Sequence, residues 1–187
     1  MEDKEIIQLY WQRNQQAIEE SNRKYGRYCY SIAYNLLNDH EDSEECVSDT
    51  FLGAWNAMPP HKPSRLQLFL ANITRSLAFN RYQSRTAQKR GGGELPLVLE
   101  ELSECIGGGT DPEEKVEAAE LSTAIEKFVK TLSVREHSIF VDRYFYTESI
   151  EKVAEKNSLT LNNTYVILSR IRGKLRAYLA EEGFCDG

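Results

Sequence analysis

Long apolar runs are missing from this chain of 187 residues. None approaches the roughly 20 residues that a membrane-spanning helix requires. The N-terminal stretch MEDKEIIQLYWQRNQQ is charged and amphipathic and has no signal-peptide core, so the expected location is cytoplasmic. Histidine and cysteine are sparse and scattered. Cys29, Cys46, Cys105 and Cys185 form no C-x-x-C pair, and His40, His61 and His137 stand at no ligand spacing from them, which argues against a metal site and for thiols in a reducing compartment. There is no P-loop, nucleophile elbow or carboxylate–histidine cluster, so neither an enzyme, nor a cofactor, nor a small-molecule substrate is expected. Sustained strand alternation is absent too, which leaves an all-α fold. The last absence is local: from Lys62 to Gly93 there is no Asp or Glu, although the chain as a whole carries a formal net charge of −6.

What is present is ordinary for a globular protein, with 28 % charged and 41 % apolar residues, enough for one large or two small cores. The charge is segregated. Residues 1–61 hold 5 basic and 11 acidic side chains, 62–93 hold 7 and 0, 94–126 hold 1 and 10, and 127–187 hold 10 and 8. A basic block between two acidic ones is itself informative.

In order along the chain, helical periodicity predicts one helix from about Asp3 to Ser21 and another from Tyr25 to Leu37, with a turn at Asn38-Asp39-His40. A third begins near Asp42 or Ser43, carries Val47, Phe51, Ala54, Trp55 and Met58 on one stripe, and is stopped by Pro59, Pro60 and Pro63. A fourth follows, with Leu66, Leu70, Ile73 and Leu77 as its apolar stripe. Its distal half turns basic: Arg81, Arg85 and Lys89 recur every four residues, with Asn80, Tyr82, Gln83 and Ser84 interleaved, a pattern that supplies phosphate contacts and base-edge donors. A solvated helix face accounts for the same pattern.

Glycine triplets at 91–93 and 107–109 bracket an acidic segment, read as a flexible linker over 91–117 with a short helical or extended piece at Leu95 to Leu102. Beyond it, Leu121, Ile125, Phe128, Val129 and Leu132 form a stripe. Ser133-Val134-Arg135-Glu136 is a capping box that starts a helix running to about Tyr146. A short helix from Ser149 to Lys156, the turn 157–160 and a longer helix burying Leu161, Leu168, Ile171, Leu175 and Leu179 make a helix-turn-helix. The expected fold is therefore two small helical domains, 1–90 and 118–187, joined by the linker.

Taken in order, four motifs carry a resemblance: Asn38-Asp39-His40-Glu41-Asp42-Ser43-Glu44-Glu45 leading into Thr50-Phe51-Leu52-Gly53-Ala54-Trp55; Phe69 to Ala78; Leu132 to Tyr144 with Arg143-Tyr144-Phe145; and Ser169-Arg170-Ile171-Arg172-Gly173-Lys174-Leu175. Together they resemble the extracytoplasmic-function (ECF) group of bacterial sigma factors, in the sigma-70 family, over about Tyr10 to Leu179. The resemblance implies an initiation factor that binds core RNA polymerase and promoter DNA and is held in check by an anti-sigma factor. It implies polymerase contact through Asp39, Glu41, Asp42, Glu45, Asp49, Phe51 and Trp55. Glu41, Asp42, Glu44 and Glu45 equally complement a helix N-terminus, and Phe51 and Trp55 belong first to the core. Where relatives carry Gln and an acid before Thr-Phe, this chain has Ser48 and Asp49.

Opening and reading of the minus-ten region is implied for Arg75, Ser76, Asn80, Arg81, Gln83, Ser84, Arg85, Lys89 and Arg90, with ring stacking by Phe79 or Tyr82. Reading of the minus-thirty-five element is implied for Thr160, Asn162, Asn163, Thr164, Tyr165, Ser169, Arg170, Arg172 and Lys174. Relatives commonly place a small polar and a basic residue where this chain has Val166 and Ile167, residues that fit thymine methyls, neighbouring helices or a partner. The acidic linker corresponds either to a segment threading the polymerase channel or to a solubilising spacer. A helix-turn-helix regulator acting on duplex DNA alone is the alternative, and it leaves the basic helix without a purpose.

Overall fold

The computed structural model describes residues 1–85, 94–105 and 114–184, the side chains of 114–118 excepted, and among these residues every regular element is helical. The chain divides into two compact units, Met1–Gly93 and Glu94–Gly187.

The first unit comprises α1 (Asp3–Trp11), α2 (Gln16–Leu37), α3 (His40–Ala57) and α4 (Leu66–Ser84). One break is not where periodicity puts it. The helix expected over 3–21 ends at Trp11, and α2 runs unbroken through residues 22–24, where a boundary was expected. No Gly or Pro marks the true break. It is made by Arg13, which adopts a left-handed φ of 56°, and by Asn14, whose side-chain oxygen accepts from the backbone N–H of Gln16 at 3.0 Å. Arg13 is held there by donating to the Trp55 carbonyl at 2.7 Å. Asn38 ends α2 with φ 49°, one of the few side chains that tolerate that region. Asp39 then caps α3 by accepting from the N–H of Asp42 at 3.0 Å.

α3 and α4 approach closely because the residues between them are small. The Thr50 and Thr74 hydroxyl oxygens lie 3.0 Å apart, and the Thr74 hydroxyl donates to the Leu70 carbonyl. A Cβ on Gly53 would meet Cγ2 of Ile73 at 3.1 Å, so glycine permits the approach. Around this seam Ile6, Tyr10, Phe51, Met58, Leu66 and Leu70 form the core.

The second unit holds α5 (Glu94–Ser103), α6 (Glu114–Thr131), α7 (Val134–Phe140), α8 (Ile150–Lys156) and α9 (Leu161–Glu181). α7 starts at the expected Ser133/Glu136 capping box and continues into a wide π turn, Val141–Phe145. Two corrections arise here. Glu94–Ser103 is not a flexible linker: its Leu95 and Val98 are buried, and Val98 joins the same core as Phe128, Ile139, Leu168 and Leu175. Of the remainder of the expected linker, 114–117 belong to the first turn of α6, and 91–93 and 106–113 lie outside the described residues. Leu161, expected in the core, is 48 % exposed, because at the first turn of α9 there is no further helix to cover it.

Arg143 is the largest fully buried side chain of the second unit, 1 % exposed. It donates to Glu101 (2.8 and 3.3 Å), to Glu94 (2.8 Å) and to the Glu148 carbonyl (2.7 Å). Glu101 also accepts from the Tyr144 hydroxyl at 2.9 Å and lies 3.5 Å from Arg172. A buried cation thus pins α5 to the π turn, its charge compensated by two carboxylates. Among the described residues no helix is long and apolar enough to cross a membrane.

Candidate nucleic-acid interfaces

In the first unit the two charged faces singled out in the sequence are cross-tied to one another. Arg81 donates to Glu45 at 2.6 Å and to Asp49 at 2.7 Å and lies 3.7 Å from Asp42. Arg85 is ion-paired with Asp42, lies 3.9 Å from Asp39 and donates to the Leu37 carbonyl at 3.0 Å. The register is that of an antiparallel pair: one turn up α4, from Arg81 to Arg85, corresponds to descending α3 from Asp49 towards Asp42. Hydrogen bonds to Glu45 and to Asp49 hold the Arg81 guanidinium above its ordinary pKa. Arg81 and Arg85, expected to face phosphates, are therefore already neutralised by Asp42, Glu45 and Asp49, which were expected to face polymerase.

Apart from Leu68, 38 % exposed at its start, what α4 leaves open is polar and uncharged. Ser76, Asn80, Gln83 and Ser84 are exposed, and so is Asn72, one turn before Ser76 on the same face, which sequence reasoning passed over. Amide and hydroxyl groups in such a row offer both donors and acceptors to base edges. Arg75 is half-buried, and burial pushes its pKa down. Phe79 and Tyr82 are half-buried as well. Lys89 and Arg90 lie outside the described residues. On α3, Asp39, Glu41 and Glu45 are exposed, whereas Phe51 is buried in the core. Trp55 is half-buried, edge-on to Tyr10 at 6.3 Å with the Arg13 guanidinium 5.4 Å above its ring.

In the second unit, α8, a turn and α9 form the expected helix-turn-helix, with Ile150, Val153, Ala154, Leu168, Ile171, Leu175 and Leu179 buried. Four expected reader residues are committed elsewhere. Thr160 is the N-cap of α9, accepting from the N–H of Asn163 at 3.2 Å. Thr164 is fully buried, its hydroxyl donating to the Thr160 carbonyl at 2.9 Å. Arg172 donates to the Tyr144 hydroxyl at 3.2 Å beside Glu101, and Tyr144 is pushed to a high pKa, chiefly by burial. Lys174 is paired with Glu136 at 2.6 Å, near the surface. Asn162, Asn163, Tyr165, Ser169 and Arg170 remain exposed. Val166 and Ile167 part company, Val166 being 40 % exposed while Ile167 packs against the core. Among the described residues no cluster of His, Cys, Asp or Glu fits a metal ion.

Both units thus present polar helix faces, one of them on a helix-turn-helix. Residues 23–88, which span most of α2 and all of α3 and α4, match the family model for sigma-70 region 2. Over those residues the first unit is similar to sigma-70 region 2. No curated protein matches it. Among solved structures, that of CnrH in complex with the cytosolic domain of CnrY aligns over 97 % of this chain and 99 % of that one, at 19 % identity and a TM-score of 0.44.

Proposed function

We propose that this chain is a sigma factor of the ECF group, a cytoplasmic, non-catalytic initiation factor that brings core RNA polymerase to a two-part promoter and helps open its minus-ten region. The observation that carries the reading is the region 2 match, which covers both the acidic face of α3 and the polar row on α4. The helix-turn-helix of the second unit supports a second DNA contact, at the minus-thirty-five element. Polymerase docks on Asp39, Glu41, Asp42, Glu45 and Asp49, and an anti-sigma factor occludes these surfaces when the factor is idle.

The ion pairs between α3 and α4 couple the two jobs of the first unit. A polymerase surface that engages Glu45 and Asp49 competes for the carboxylates that hold Arg81 at 2.6 and 2.7 Å. Docking therefore releases cationic charge next to Asn80 and Gln83, where the separated strand lies. Among the described residues few cations on either face are uncommitted, so alone the chain binds DNA weakly. The deciding experiment is reconstitution: the purified chain co-purifies with core polymerase and adds promoter-directed initiation. A chain that shifts duplex DNA strongly by itself and ignores polymerase is a stand-alone regulator, and the proposal is then wrong.

A further inference from the structure

The outward face of α9 carries an unusual row for a reader helix. Asn162, Val166, Ser169 and Gly173 fall at i, i+4, i+7 and i+11, and all four are exposed. They lie opposite the buried Thr164, Leu168, Ile171 and Leu175. Tyr165, 56 % exposed, and Arg170 flank the row. No cation stands within the row; of the three that come after Arg170 on the helix, Arg172 and Lys174 are engaged by Glu101 with Tyr144 and by Glu136, and Arg176 lies one turn beyond Gly173. The commonest contact to guanine, a forked cation on O6 and N7, has no donor in the middle of this face.

Gly173 is a second and independent observation. It is helical, with no positive φ, and a Cβ built on it meets nothing within 4 Å. Neither backbone conformation nor packing among the described residues asks for glycine, and glycine is unfavourable in a helix interior relative to alanine. Ser169 and Gly173 leave the middle of the face nearly without side chains, which lets the helix axis come close to whatever it meets.

We infer that this row reads an A·T-rich upstream element, with Asn162 paired to an adenine edge and Val166 seated on a thymine C5-methyl, and with Ser169 and Gly173 admitting the groove wall. The chemistry follows from the groove: the amide of asparagine matches adenine N6 and N7, and an apolar branch matches the methyl that only thymine presents. Duplex DNA is the occupant because α9 is the second helix of the helix-turn-helix and has no acidic residue from Leu161 to Ala180. The inference rests on the proposed role of the second unit as a promoter reader.

The test uses the complex of the chain with core RNA polymerase. An upstream element is selected from duplexes randomised in that region, and its thymines are then replaced one at a time by uracil, which lacks only the methyl. Affinity falls about fourfold at the thymine met by Val166, the effect of leaving one methyl group unburied, and Val166→Ala abolishes the difference between thymine and uracil. Gly173→Leu folds at least as stably as the parent and binds about tenfold or more weakly, as expected for a blocked groove contact. If thymine and uracil bind alike while Arg170→Ala still weakens binding to the selected element, the methyl reading is overturned and the role of α9 stands. If no upstream sequence is selected and Arg170→Ala is silent, the role of α9 fails and this inference falls with it.

Discussion

Neutralising Glu45 and Asp49 together, as Glu45→Gln with Asp49→Asn, moves two properties of the first unit in opposite directions. Both substitutions keep side-chain shape and remove the two carboxylates nearest Arg81, leaving Asp42 at 3.7 Å. The Arg81 side chain is 27 % exposed and its partners 69 % and 46 %, so solvent screens these pairs heavily. Pairs of that kind contribute about 0.2–1 kcal/mol each, so the loss is about 0.5–1.5 kcal/mol. For a unit of this size that lowers the midpoint of thermal unfolding by about 3–10 °C. The deficit shrinks towards zero in about 1 M salt, where the Debye length falls to about 3 Å.

DNA binding moves the other way. A released Arg81 adds one phosphate contact on single-stranded DNA, which steepens the salt dependence by about 0.7 and raises affinity about eightfold at about 50 mM salt relative to about 1 M. Fluorescence anisotropy with a labelled oligonucleotide, titrated at several salt concentrations, measures slope and affinity together, and calorimetry supplies the midpoint. If affinity falls along with stability, Arg81 is not being withheld from DNA by α3. If the midpoint is unchanged at low salt, the pairs do not form in solution and the coupling argument fails.

Glu101→Gln removes one of the two carboxylates that compensate buried Arg143, leaving Glu94 and the Glu148 carbonyl. Breaking one side of a buried pair costs about 3 kcal/mol at the low end of the range, so the second unit should melt about 12 °C or more below the parent while exposed Glu100→Gln leaves it unchanged. Equal midpoints would show that α5 is not docked. For Asp3, burial acts to raise the pKa, but hydrogen bonds from Lys24 and Tyr25 outweigh it and hold the carboxyl below its ordinary value. A depressed folded pKa contributes stability in full above the ordinary value and loses it as pH falls, so the urea midpoints of Asp3→Asn and parent should differ at pH 7 and converge below about pH 4. The Tyr25 phenol, pushed up to about 12 by burial and by Asp3, acts at the other end. Its contribution is complete below about pH 10 and is lost as pH rises towards 12, which Tyr25→Phe should remove. Cys29 and Cys46 are buried with raised pKa values, Cys46 to about 11, first through burial in both cases, and Cys105 is buried too. In a Cys185→Ser background, native protein should resist iodoacetamide at pH 8, and unfolded protein should take up three equivalents. Labelling of the native form would argue against the packing of these thiols.

The helices were legible wherever an apolar stripe met a stop signal: α3 at the prolines that end it, although it starts at His40 under the Asp39 cap and not near Asp42 or Ser43, α7 at its capping box, α8 and α9 about their turn. The break at Arg13 was not, because the stripe through Ile6, Tyr10, Ala17 and Ile18 passes over it and Arg13 takes a conformation its residue type seldom adopts. What periodicity misses entirely is whom a charge faces. Arg143 stands within an aromatic run, and its partners lie 42 and 49 residues away on a segment whose glycines and acids suggested a linker. The same holds for Arg81, whose partners lie 32 and 36 residues earlier. A trace of that pairing was nevertheless in the sequence. Asp42, Glu45 and Asp49 recur at helical spacing on α3 and Arg81 and Arg85 on α4, and two consecutive antiparallel helices bring matching stripes of opposite sign together. Each stripe considered alone suggests a binding face. Considered together, each is the other's first partner, and an external ligand must offer more than the partner it displaces. On the proposed function, that competition would tie DNA contact by the first unit to the engagement of α3.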